Sequence, residues 1–215
     1  MQINIREPGS AFTHLIGMVL AAAATTPLLI KSALSGKNTL FALSIFCMSM
    51  VLLYGASTTY HSVSLTGHLL EIFRKIDHMM IFVLIAGSYT PVCLIILGGK
   101  LGYTMLAIVW GIALLGMLLK ACWVTCPKWF SSVIYIAMGW VCVAVFGQLW
   151  NTLPGAAFAW LLAGGIIYTI GGIIYAIKPK AFDSKHKMFG LHEIFHLFVM
   201  GGSFCHFIFM YFYVA

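Results

Sequence analysis

The stretch LFALSIFCMSMVLLYGASTTY, residues 40–60, carries no charged side chain and ends on hydroxyls that lead into His61. At about 1.5 Å of rise per residue, a helix of this length crosses the roughly 30 Å hydrocarbon core of a bilayer. Its apolar residues are continuous rather than alternating, which suits a helix in lipid and not a barrel strand. Six further segments read the same way: Phe12–Ile30, Asp77–Leu97, Gly102–Ala121, Ser131–Gln148, Ala157–Ile177 and Leu191–Tyr213. Between them lie most of the charges and turn formers such as Ser35-Gly36-Lys37-Asn38, Gly98-Gly99-Lys100 and Pro154-Gly155. The sequence therefore predicts an all-α integral membrane protein, seven transmembrane helices forming one domain over residues 1–215. The longest connections, roughly 62–76 and 178–190, are too short to fold alone.

Composition excludes a soluble fold. Of 215 residues, 62% are hydrophobic and 8% charged, with mean hydropathy +1.02, against about 25% charged in a soluble domain. The exterior of a water-soluble fold of this size would itself have to be apolar. The first segment, preceded by Arg6 and containing Ala21-Ala22-Ala23-Ala24, has some features of a secretory signal. Its apolar run is long for one, and it reads as a retained span.

Basic residues set the orientation. Arg6, Arg74, Lys75, Lys120, Lys128, Lys178, Lys180, Lys185 and Lys187 fall on the side of the amino terminus, and Lys31, Lys37 and Lys100 on the other. This asymmetry predicts a cytoplasmic amino terminus and an external carboxyl terminus. The net charge of +7 then signals topology and a match to anionic lipid. It is scattered over short loops and points to no nucleic acid. The six cysteines fall mostly within spans; Cys122 and Cys126, four apart, could share a face. Small packing residues are the plainer reading of them, as of the glycine pairs 164/165, 171/172 and 201/202.

Polar residues inside spans are where function should show, and here they gather at one end. Helix two closes on Ser57-Thr58-Thr59-Tyr60-His61. Helix three opens on Ile76-Asp77-His78, and helix seven on Leu191-His192-Glu193-Ile194-Phe195-His196. Helix two arrives where three and seven depart, so the three groups share one depth in one leaflet. His192 and His196 are four apart, so both imidazoles leave one helix face about a turn apart, a common way to offer two nitrogens to zinc. Ser57 and His61 share a face by the same spacing. His61 completes three imidazoles and leaves a fourth position for water. Asp77 can hold or deprotonate that water, whose pKa zinc would bring towards about 7.

Each group also has a plainer reading. The histidines could be interfacial and solvated, Asp77 a first-turn carboxylate favoured by the helix dipole, and Ser57 a hydroxyl bonded back to its own helix. His78 is expected to face another helix or the interface. His14 and His206 are weaker extra candidates, while His68 and His186 are loop residues. Residues 192–196 also fit the H-E-x-x-H pattern of zinc metalloproteases, with Glu193 as general base. That motif opens the last helix, and His61 offers a third ligand from another helix, which argues against proteolysis.

Five stretches together resemble the bacterial hemolysin III family, the prokaryotic branch of the progestin and adipoQ receptor family, over nearly the whole chain. They are Glu7-Pro8 through Thr13-His14, Ser57-x-x-x-His61, Lys75-Ile76-Asp77-His78 through Gly87-Ser88-Tyr89-Thr90-Pro91, Gly171-Gly172-Ile173-Ile174-Tyr175, and His192-x-x-x-His196. The resemblance implies seven spans with a cytoplasmic amino terminus in a bacterial plasma (inner) membrane. It implies Zn2+ held by His61, His192 and His196, with Asp77 reaching the metal through water and Ser57 beside them. The receptors' large soluble amino-terminal region is missing, which removes the case for a protein hormone as ligand. The related alkaline ceramidases imply a zinc-dependent hydrolase of a membrane lipid amide or ester, acting in membrane lipid and energetics homeostasis. The family's haemolysis phenotype implies instead a non-enzymatic pore, transporter or lipid sensor with structural zinc. In either case the partner is a membrane lipid, as substrate or ligand.

The orientation is directly testable. A reporter active only in the cytoplasm, fused after Ala215, is expected to stay silent. Strong activity would overturn either the span count or the orientation.

Overall fold

Hydrocarbon offers a peptide group no partner, so a chain with this much apolar sequence meets its backbone hydrogen bonds inside helices. The computed structural model of the protein describes residues 5–177 and 189–215. Among them seven helices are long and apolar enough to cross a membrane: α1 Pro8–Ser35, α2 Lys37–Ser62, α3 Gly67–Leu97, α4 Gly99–Cys122, α5 Lys128–Thr152, α6 Gly155–Ile177 and α7 Leu191–Val214. There is no strand among the described residues. Lys178, Lys180, Lys185, Lys187 and His186, read above as part of the last long connection, lie outside them. Consecutive helices pack side by side, and α7 returns against α1.

The half of the bundle away from the amino terminus is filled by an apolar cluster in which Leu28, Leu43, Phe46, Leu149 and Phe209 are fully buried. Phe12, Val19, Leu34, Phe41 and Leu115 face outward, as lipid-exposed side chains should. Buried hydroxyls bond back to their own helix: Ser32 Oγ to the Leu28 carbonyl at 2.5 Å, and Ser88 Oγ and Thr90 Oγ1 to those of Leu84 and Ala86 at 2.9 Å. Gly164, Gly171 and Gly202 let α6 and α7 close up, since a Cβ at any of them would come within 2.7 Å of His206, Phe198 or Tyr168.

α3 begins not at Asp77 but at Gly67, so the connection after α2 is only 63–66. The charges that end the hydropathy run do not end the helix. Glu71 and Lys75 pair at 2.8 Å one turn apart, and Leu69, Ile72 and Ile76 are exposed, giving an amphipathic extension suited to the bilayer interface. Asp77 consequently lies about three turns inside the helix, and the dipole reading fails because that effect is confined to the first turn. At its other end α3 passes through Pro91, which lacks an N–H, into a π-helical turn over Val92–Leu97. α5 is also not uninterrupted. Over Trp140–Val145 it tightens to a 3-10 helix, because the Tyr89 hydroxyl enters its ladder, donating to the Gly139 carbonyl at 2.6 Å and accepting the Cys142 N–H at 2.9 Å. Lys120, counted among the rim cations, is buried; its Nζ donates to Ser131 Oγ at 2.6 Å and Cys126 Sγ at 3.0 Å. Cys126 is buried and Cys122 exposed, so the two do not share a face.

At the head of α4, a Cβ on Gly102 would lie 2.0 Å from the Cys93 carbonyl oxygen. Gly102→Ala is expected to lower the thermal midpoint of detergent-purified protein, at a cost of about 1–3 kcal/mol. Gly111→Ala, which meets open space, is expected to be neutral. Equal midpoints for the two variants would show that the α3–α4 corner relaxes freely.

Candidate metal centre

His61 lies in the last turn of α2, while His192 and His196 lie in the first two turns of α7. Packing α1 between these helix ends brings the three imidazoles together: one ligand nitrogen from each lies within 4.8 Å of the others. His192 Nε2 stands 3.3 Å from His61 Nε2. Two nitrogens bound tetrahedrally to zinc at 2.0–2.1 Å would stand about 3.3–3.4 Å apart. The donor set and its spacing therefore fit a metal ion. His61 and His196 are each 2% exposed, so the cluster is shielded by protein.

The opposite sides of two rings are committed to the start of α1. His61 Nδ1 meets the Glu7 carboxylate, and His196 Nδ1 meets Thr13 Oγ1 at 3.0 Å. The hydrogen bond to His61, reinforced by the Arg6 guanidinium, holds the Glu7 carboxyl below the usual carboxylate range despite partial burial. His14 stacks flat on His196, ring centroids 3.5 Å apart. Glu193 has a different task. Its Oε2 accepts the Gly190 N–H at 2.8 Å, capping α7, and its Oε1 accepts the Ser10 hydroxyl.

Two cavities meet at the cluster. A polar one of about 370 Å³ is lined by Arg6, Glu7, Tyr60, His61, Arg74 and Lys128 among others. An apolar one of about 160 Å³ runs from Ser57 and His196 past Ile81, Leu84 and Leu161 to His206. Asp77, His78, Tyr175 and His192 line both. Asp77 is not in the cluster of ligand atoms but stands in this shared wall, with His78 Nδ1 3.5 Å from its Oδ2. His78, expected to face elsewhere, borders both cavities and donates from Nδ1 to the Arg74 carbonyl at 2.9 Å. His206 donates to the Leu161 carbonyl at 3.4 Å, and His68 is exposed away from the site.

Ser57 is not bonded back to its helix. Its buried hydroxyl faces the apolar cavity with no partner among the described residues, as does that of Ser132. The sequence reading missed Ser132, Glu7, Thr13 and Ser10 as parts of this site. A signal did exist in α1, where Ser10, Thr13, His14, Gly17 and Ala21 are buried at the three-to-four spacing of one helix face. It is polar at the end that meets the histidines.

A family model described as "Haemolysin-III related" matches residues 2–207. The chain is similar to Hemolysin-3 of Bacillus cereus, 38% identical over 97% of this chain and 91% of that protein. It is similar to the Hemolysin-3 homolog of Bacillus subtilis, 41% identical over 92% of this chain and 89% of the other. An adiponectin receptor protein of Drosophila melanogaster matches at 23% identity, over 94% of this chain and 49% of that protein.

Replacing His61, His192 or His196 by Ala is expected to lower the transition metal that copurifies with the protein, measured by elemental analysis. His68→Ala is expected to leave it unchanged. Equal metal in all four variants would remove the site.

Proposed function

The chain belongs to the haemolysin-III related family, and from that premise we propose that it is a zinc-dependent hydrolase of a membrane lipid amide or ester. It would work in the bacterial plasma membrane with its amino terminus in the cytoplasm, in membrane lipid homeostasis. The observation that carries this reading is the position of the three imidazoles where a polar cavity meets an apolar one. An amphiphile's reactive carbonyl sits at such a boundary, its chain in the apolar cavity and its headgroup, with water, in the polar one.

Zinc held by His61, His192 and His196 would supply Lewis acidity for polarising a carbonyl and activating water. The remaining work falls to the chain. Asp77, in the wall common to both cavities, accepts the proton of the attacking water and returns it to the departing nitrogen or oxygen as its bond to the carbonyl carbon breaks. Ser57, whose hydroxyl is uncommitted among the described residues, donates to the carbonyl oxygen as negative charge develops on it. The apolar walls of Leu84, Ile81 and Leu161 exclude competing water and strengthen both contacts.

The rival reading is a non-enzymatic pore, transporter or lipid sensor with structural zinc, and it draws on the relatives' name. Against a pore stands the far half of the bundle, closed by fully buried Leu28, Phe46 and Phe209.

Purified protein incubated with mixed bacterial lipids is expected to give zinc-dependent hydrolysis products by mass spectrometry. Asp77→Asn should retain metal and lose about 10²–10⁴-fold in rate. Glu193→Gln should cost far less, because Gln can still cap α7. Loss with Glu193→Gln and retention with Asp77→Asn would replace lipid hydrolysis by proteolysis. Indifference to both would favour the non-enzymatic reading.

A further inference from the structure

α1 contributes no imidazole to the cluster, yet its first two turns touch two of the three ligands and the cap of the helix that bears them. Glu7 is bound to His61 twice. Its carboxylate meets Nδ1, and its own N–H donates to the His61 carbonyl at 3.0 Å. Arg6 Nη2 lies further from the same carboxylate oxygen, at 3.5 Å. Thr13 has one hydroxyl hydrogen, which goes to the Ser10 carbonyl at 2.9 Å. In its 3.0 Å contact with His196, the hydroxyl oxygen must therefore accept and Nδ1–H must donate. Ser10 completes the set by donating to Glu193, which caps α7 at Gly190.

We propose that Glu7 and Thr13 are positioning residues of the metal centre: by accepting the Nδ1–H of His61 and of His196 they fix both rings as the tautomer whose Nε2 is free for the metal. The proposal rests on the metal reading but not on hydrolysis. Free histidine favours the other tautomer, with hydrogen on Nε2, so an uncommitted pair of rings would present the wrong nitrogens for part of the time. A carboxylate or hydroxyl behind a ligating imidazole removes that ambiguity and raises the basicity of the ligand atom. Other buried span hydroxyls, such as Ser32 and Ser88, bond to their own helix alone; Thr13 does that and also binds a ligand from another helix.

Metal-depleted, detergent-purified protein is titrated with zinc against a chromophoric chelator, with no substrate present. Glu7→Leu and Thr13→Val, which remove the acceptors, are expected to weaken zinc binding about 10–100-fold each, and Thr13→Ser to retain it. The metal-free melting temperature should move little. Unchanged affinity in Glu7→Leu and Thr13→Val overturns the proposal, as does a lowered melting temperature with no loss of affinity. A second measurement needs no variant: histidine nitrogen NMR of the unmodified metal-free protein should find His61 and His196 with hydrogen on Nδ1. Hydrogen on Nε2 in both overturns the assignment even if a variant fails to fold. His192→Ala separates the two layers. If it leaves zinc affinity intact, the metal centre falls and this proposal with it. If it abolishes binding while the α1 variants do not weaken it, only the positioning role falls.

Discussion

Because the hydrocarbon around this bundle offers no hydrogen bonds, each polar side chain drawn into it needs a partner from the protein, at a cost of about 1–3 kcal/mol for a group that fails. Most of the chain obeys this in the cheapest way, with hydroxyls folded back onto the preceding turn of their own helix, as at Ser32, Ser88 and Thr90. Other polar groups bond across helices, as Tyr54 and Tyr168 do at Ser203, and one group of them gathers at one end. There Glu7, Ser10, Thr13, His61, His196 and Glu193 satisfy one another across three helices, and each of the three imidazoles offers one nitrogen to the cluster. A set of this kind is satisfied only when α1, α2 and α7 are all in place, so the polar cluster also fixes how those helices meet.

The rest of the architecture follows from where that cluster sits. Beyond it, towards the far end, packing is apolar and closed. On the near side lies a cavity with Arg6, Arg74 and Lys128 in its walls. The site is therefore a boundary between wet and dry surroundings inside one protein, with Asp77 and Tyr175 facing both. Low dielectric on the dry side strengthens whatever charge interactions form there. The irregular segments serve the same boundary: Tyr89, whose hydroxyl tightens α5, and Ser132, at the start of that helix, both line the apolar cavity.

What periodicity and solvent dictate is legible in the residues alone. Uncharged runs such as 40–60 fixed seven helices, since lipid leaves a backbone no alternative. The four-residue spacing of His192 and His196, with His61 arriving at the same end, marked three imidazoles able to share a metal ion. Where hydropathy was a poor guide, boundaries moved: Glu71 and Lys75 broke the apolar run before Asp77 without breaking α3. Only the packing of the helices reveals which nitrogen of His61 and of His196 is committed, that Ser57 faces a cavity and not its own turn, and that α1 is part of the site. Glu7 and His61 are 54 residues apart, and Thr13 and His196 are 183 apart. A hydrogen bond of about 3 Å between such residues depends on how helices pack, which neither hydropathy nor the 3.6-residue period records.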